Sequence, residues 1–129
     1  MIAGSTALLA ACNNARDAAG DKVERDAEAS AVAAGPADAA LGLSEAQLLD
    51  ADLRGASGVE RGDVVQIVRG ADGKVDRLLN EIEDSNPDRF VHVPIAGLST
   101  VPRGDDTDLS TSMTRGQMIA LPEVKLLSP

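Results

Sequence analysis

The sequence predicts a small, mainly β module preceded by an Ala- and acid-rich segment that has little with which to build a core. Three observations carry this. The texture of the chain changes at Leu43; downstream of it, short runs rich in Val, Ile and Leu are cut by Gly, Asp, Asn and Pro; and no heptad pattern or internal repeat runs through the chain. At 129 residues there is room for one domain. With one Phe and neither Trp nor Tyr, its core has to be packed from Val, Leu, Ile, Ala and Met, which bury less area per side chain than aromatics do.

Charge narrows the function classes. The net charge of −9 opposes nonspecific binding to nucleic acid or to anionic lipid, so a nucleic-acid partner is not expected. The acidic surplus is concentrated before Leu53: nine acids face three bases from Asn13 to Asp52, against twelve and nine from Leu53 onward. No stretch approaches the roughly 20 apolar residues of a spanning helix.

Residues 1–12 end in Ala7-Leu-Leu-Ala-Ala-Cys12, a short apolar run of small residues that stops at the single cysteine, and charged sequence follows. Leu9-Ala10-Ala11-Cys12 resembles the lipobox of bacterial lipoproteins, which marks residues 1–12 as the remnant of a secretory signal. The resemblance implies cleavage before Cys12, a diacylglycerol on its sulfur and acylation of the new amino terminus, a stable anchor because more than one acyl chain enters the bilayer. No Lys or Arg precedes the run, so a basic leader is expected upstream of Met1. Asn13 is not the Asp that retains many such proteins at the inner membrane. By that analogy the expected place is the periplasmic side of the envelope, at the outer membrane.

Residues 13–42 hold eleven alanines, and only Val23, Val32 and Leu41 are larger apolar side chains. The expectation is an acidic linker, disordered or partly helical between about Ala15 and Ala34, interrupted at Gly20 and ended by Gly35-Pro36. The module itself, residues 43–129, opens with Ser44-Glu-Ala-Gln47, which has capping-box spacing and predicts one or two helical turns to about Asp50.

Asp63–Arg69 and Lys74–Ile82 then read as strands joined by Gly70-Ala-Asp72-Gly73, the strongest hairpin signal in the chain. Arg89–Ile95 alternates, placing Val91, Val93 and Ile95 on one face and His92 on the other, and Pro94 predicts an edge or a strand end. Pro102–Asp108 reads as a polar loop and Leu109–Ser112 as a short strand. Thr114 caps a last helical turn through Ala120, stopped by Leu121-Pro122.

With these pieces placed, the region from about Leu43 to Leu98 resembles the PRC-barrel family. The resemblance rests on Gly58, Gly62-Asp63-Val64 with Ile67-Val68, Asp72-Gly-Lys-Val75, and Val91-His-Val-Pro94 followed by Leu98. Thr114-Arg-Gly-Gln-Met-Ile-Ala-Leu-Pro122 is similar to a tail that follows some of these modules. It implies a small β-barrel with short flanking helical turns, acting as a protein docking or assembly surface. The chain departs from the family at Glu83–Asp88, where many members have a Gly-Gly-Phe-rich loop, and at Arg61, where they have an aliphatic residue. Arg61 is expected either to cap the barrel rim or, as is more common, to point to solvent with its stem on apolar neighbours.

Candidate chemistry is sparse. His92 is the only histidine, so a two-histidine metal site or a Ser-His triad lacks its parts, and it reads as an exposed strand residue. Glu81 and Glu83 share a strand face but read as solvated. Asp105-Asp106-Thr-Asp108 offers oxygen ligands without the spacing or Gly of a calcium loop and reads as a solvated turn. Gly55-Ala-Ser-Gly58 precedes a strand, so it gives no helix N-terminus to hold a phosphate, and Met113 and Met118 read as core contacts. The expectation is a non-enzymatic chain without cofactor, metal or small-molecule substrate. It carries lipid at Cys12 and binds a protein partner; the alternative is a soluble cytoplasmic assembly or regulatory factor using the same barrel without lipid.

Overall fold

The computed structural model describes residues 3–85 and 88–126, with side chains from Ala18 onward. Helix α1 (Ala3–Ala34) is continuous. Gly20 does not interrupt it, since one helical glycine costs only about 1 kcal/mol and strong helix formers flank this one. The helix stops at Gly35, whose φ of 63° and N–H bond to the Ala31 carbonyl at 3.0 Å form a left-handed cap. Where an acidic linker, disordered or partly helical, was expected, the chain forms a full helix and then a small hairpin of β1 (Asp38–Ala40) and β2 (Leu43–Ser44). Its turn residues, Leu41 and Gly42, both have positive φ, the conformation that suits the twist of a tight hairpin.

Helix α2 (Glu45–Asp50) starts at the expected capping box: the Ser44 hydroxyl accepts from the Gln47 N–H at 3.3 Å, and the Gln47 carbonyl oxygen accepts from the Ser44 N–H at 2.9 Å. Then come β3 (Asp52–Arg54), β4 (Glu60–Arg69), β5 (Val75–Ile82), β6 (Phe90–Pro94), β7 (Leu98–Arg103), β8 (Asp106–Thr111) and α3 (Arg115–Ala120). Asp72-Gly73 closes the β4–β5 hairpin as its chemistry predicts, with Gly73 at φ 81° and the Asp72 carboxylate accepting from the Lys74 N–H at 3.0 Å. Thr114 and Gln117 form the second capping box.

Strands β3 to β8 make one six-stranded sheet in the order β6-β5-β4-β3-β8-β7, antiparallel except for the β3–β8 pair. The fold is an α/β arrangement rather than the mainly β one expected, and no closed barrel forms among the described residues. The excess helix is α1, which composition alone marked as only partly helical. The sheet is nonetheless rolled. Its edge strands β6 and β7 would stand five inter-strand spacings apart if flat, roughly 24 Å. A single 3₁₀ turn, Ile95–Gly97, joins them, and so short a link spans at most about 15 Å. The two rims therefore approach each other without pairing.

The concave face holds the core. Leu53, Leu78, Ile82, Val91, Val93 and Leu109 are buried there together with Leu48 of α2 and Met118 of α3. Asn80 shares this face between Val64 and Val91, fully buried, with its amide donating to the Leu78 carbonyl at 3.0 Å. The convex face is charged over β3 and β8 and is covered near β4 and β5 by α1. Two bulges shape β4: Arg61 and Val65 each stand unopposed beside regular pairs, and at the second Val64 and Val65 are both buried on opposite faces.

Candidate functional site

The segment read as a polar loop, Pro102–Asp108, is a hairpin: β7 and β8 pair from Leu98↔Thr111 to Arg103↔Asp106 around Gly104, whose φ is 59°. The strand that was to start at Leu109 starts at Asp106. This changes the meaning of the acidic run. In a strand, Asp106, Asp108 and Ser110 share the convex face while Leu109 points into the core. Asp108 is no solvated turn residue, because its side chain is completely buried.

Three donors converge on it. The Asp52 N–H reaches Asp108 Oδ1 at 3.0 Å, Arg54 Nε reaches Oδ2 at 2.7 Å and Arg103 Nε reaches Oδ1 at 2.8 Å. Burial pushes the Asp108 carboxyl up, but these hydrogen bonds, backbone first, bring it below the usual carboxylate range. Both arginines are held above their ordinary values, chiefly by the hydrogen bond to Asp108. Arg54 also donates to the Gly58 carbonyl at 3.1 Å, and Arg103 to the Asp50 carbonyl at 3.3 Å. Asp108 thus ties β3, β7, β8 and the β3–β4 turn into one unit. That turn is backbone-strained, with Ser57 at φ 65° and Gly58 at φ 78°.

Beside this saturated carboxylate lies a row that is not neutralised. Glu81, Asp63 and Asp52 stand directly opposite one another on β5, β4 and β3. Like charges in such register destabilise a sheet unless a proton or a cation intervenes. Asp52, Glu60 and Asp63 each bring one carboxylate oxygen within 4.8 Å of the others, and the nearest base, Arg54, is 3.9 Å from Asp52 and already bound to Asp108. A retained proton answers this geometry: burial, then the hydrogen bond that the Asp63 carboxyl donates to Asp52, then the Asp52 charge, push Asp63 up to about 7. Glu60 is also raised, by burial and then by Glu83 and Asp52. We read Asp63 as the member of this row that keeps a proton, held towards the Asp52 carboxylate.

This has a sign for stability. Asp63 binds its proton more tightly folded than unfolded, where an Asp titrates near 3.9. Its contribution is therefore fully present below about pH 4 and is lost as pH rises towards 7. Urea unfolding at pH 5 and pH 8 is expected to show a loss of about 1–2 kcal/mol at the higher pH, after allowance for screening of a partly exposed pair. Asp63→Asn is expected to remove that slope and raise stability at pH 8; an unchanged slope would show that the pair does not hold the proton.

The other residues singled out in the sequence do not converge. His92 lies on the convex face of β6, half-buried rather than exposed, and burial followed by the charge of Arg77 lowers its imidazole below the usual range. Glu83 leaves the strand face it was expected to share with Glu81 and sits in the turn after β5, its N–H bonded to the Arg61 carbonyl at 2.9 Å. Asp105 lies in the β7–β8 turn, apart from Asp108's ligand set. Arg61 does not extend into solvent: its Nε is buried, and the guanidinium lies against Gly55. Met118 is fully buried in the core. Cys12 is on the α1 backbone, but its side chain lies outside the described residues.

Sequence reasoning missed Arg54 and Arg103. The available signal was the alternation Asp106-Thr-Asp108-Leu-Ser110-Thr, which matches Asp52-Leu-Arg54 in putting Leu inward and charges outward. No family model matches this chain, and no curated protein matches it.

Proposed function

We propose that the chain is a non-enzymatic docking or assembly module of the PRC-barrel kind, held on the periplasmic side of a bacterial envelope, at the outer membrane, by lipid on Cys12. The rolled six-stranded sheet supports the barrel part of this reading. So do the Asp72-Gly73 hairpin and the Val91-His-Val-Pro94 strand, which falls on a sheet edge as the resemblance requires. The observation that carries docking is the surface beside the strained β3–β4 turn: Val59 is half exposed next to Glu60 and the Asp52–Asp63 pair, an apolar contact point rimmed by acid. The occupant that fits it is a protein surface bearing Lys or Arg.

A photocrosslinker at position 59 tests this in cells. The expected result is one discrete adduct, absent with the probe at the still more open Val32 and lost when Glu60→Lys is added. Adducts equal from both positions, or insensitive to Glu60→Lys, would sink the docking face. The anchor is tested separately by intact mass: lipid on Cys12 with residues 1–11 removed is expected, and an unmodified Cys12 would leave the soluble factor as the reading. The helix running unbroken through position 12 favours that second reading, because it gives residues 3–34 one structural role.

A further inference from the structure

Helix α1 meets the sheet in two unlike halves. Its C-terminal half is clamped. Ala27 and Ala31 are buried, the Ser30 hydroxyl donates to Glu45 Oε1 at 2.9 Å, and Arg69 holds the other Glu45 oxygen at 2.9 Å. Gly35 then fixes where the helix ends. Closer to its N-terminus the same helix borders an open cavity of about 270 Å³. Asp21 and Glu24 from the helix face Glu81 of β5 and Asp88 of the β5–β6 loop across it, with Val65 and Phe90 alongside. No Lys or Arg lines this space among the described residues.

We infer that the part of α1 over this cavity is an acid-latched flap, seated on the sheet when Glu81 carries a proton and lifted when Glu81 is ionised against the acids that face it, with the Ser30–Glu45–Arg69 clamp as its fixed end. The attraction holding the flap down is small, since its buried side chain here is Ala19 and Val23 is only partly covered. The opposing force comes from every side. Glu81 is faced by Asp21 and Glu24 from α1, Asp88 and Glu83 from the β5–β6 loop, and Asp63 across β4, while β6 contributes the uncharged Phe90. Burial, followed by the charges of Asp88, Glu24 and Glu83, already holds the Glu81 carboxyl above its usual range, which moves the latch towards mild acid. Lifting uncovers Val65, which lines the cavity and is 6% exposed with the helix down.

Hydrogen exchange on the purified full chain at pH 5.5 and pH 8, corrected for intrinsic rates, tests this without any partner. The amides of residues 18–26 are expected to be about tenfold more protected at pH 5.5, beyond any change shared by β4 and β5; tenfold corresponds to one pKa unit of coupling. Glu81→Gln is expected to give the acid level of protection at both pH values, and Glu24→Gln, on the helix itself, to do the same should the sheet variant fold poorly. Overturning results are a helix whose protection only follows that of β4 and β5, or variants that keep the wild-type pH ratio.

Discussion

Asp108→Ala is expected to lower stability by about 3 kcal/mol, equivalent to roughly 10 °C in Tm. The side chain is fully buried and accepts from one backbone N–H and two guanidinium groups. Truncation leaves the Asp52 N–H without its acceptor and two arginines without the charge that aligned them. Asp108→Asn keeps the shape and one acceptor oxygen, so its loss is expected to be smaller. The two variants also differ from wild type in acid. Because the Asp108 carboxyl is held below its usual range, its contribution is present above about pH 4 and is lost as pH falls through its folded value. Thermal melts from pH 2 to pH 6 are expected to show a steep acid loss in the wild type that is much shallower in both variants. Parallel curves would show that the cluster is not what holds β8 to β3.

Gly62→Ala is the second large effect, a loss of about 3 kcal/mol or more. A Cβ at this position would collide with the Glu81 carbonyl oxygen and come within 3.2 Å of its carbon and 3.4 Å of Ile82 Cα. All three are backbone atoms of the paired strand, so no rotamer change relieves the clash, and the β4–β5 pairing has to open at Gly62↔Ile82. Gly55→Ala supplies the contrast. Its Cβ would meet Arg61 Nε at 2.5 Å, the far end of a flexible side chain, and the expected cost is about 1 kcal/mol or less. Urea denaturation of the two variants side by side checks the argument; equal losses would contradict it.

Gly62 also illustrates what the sequence discloses and what it hides. It was singled out only as part of a family-like motif, and the reason for glycine is the close approach of Glu81 and not a positive φ. Features encoded within a few residues were readable: the Ser44 capping box, the Thr114 cap, the Asp72-Gly73 turn and the inward Val91 and Val93. Features that need a distant partner were not. The parallel β3–β8 pair joins Leu53 to Leu109 through a strand of only three residues, too short to show a period. Arg54 and Asp108 lie 54 positions apart, so neither looked special alone. Helix α1 owes its continuity partly to burial of Ala19, Ala27 and Ala31 against the domain, a tertiary contribution that composition cannot register.

The rolled sheet leaves a seam between β6 and β7, and both rims of it are spoiled for pairing. Pro94 removes a donor from one strand and Pro102 from the other, and the chain end lies along β6 through the Val91↔Glu123 bridge and the Val124 N–H to the Phe90 carbonyl at 2.8 Å. The fold therefore offers little template for a foreign strand. Crowding of many copies would bring charged faces together rather than sticky edges, which favours reversible contact over fibril growth or strand exchange.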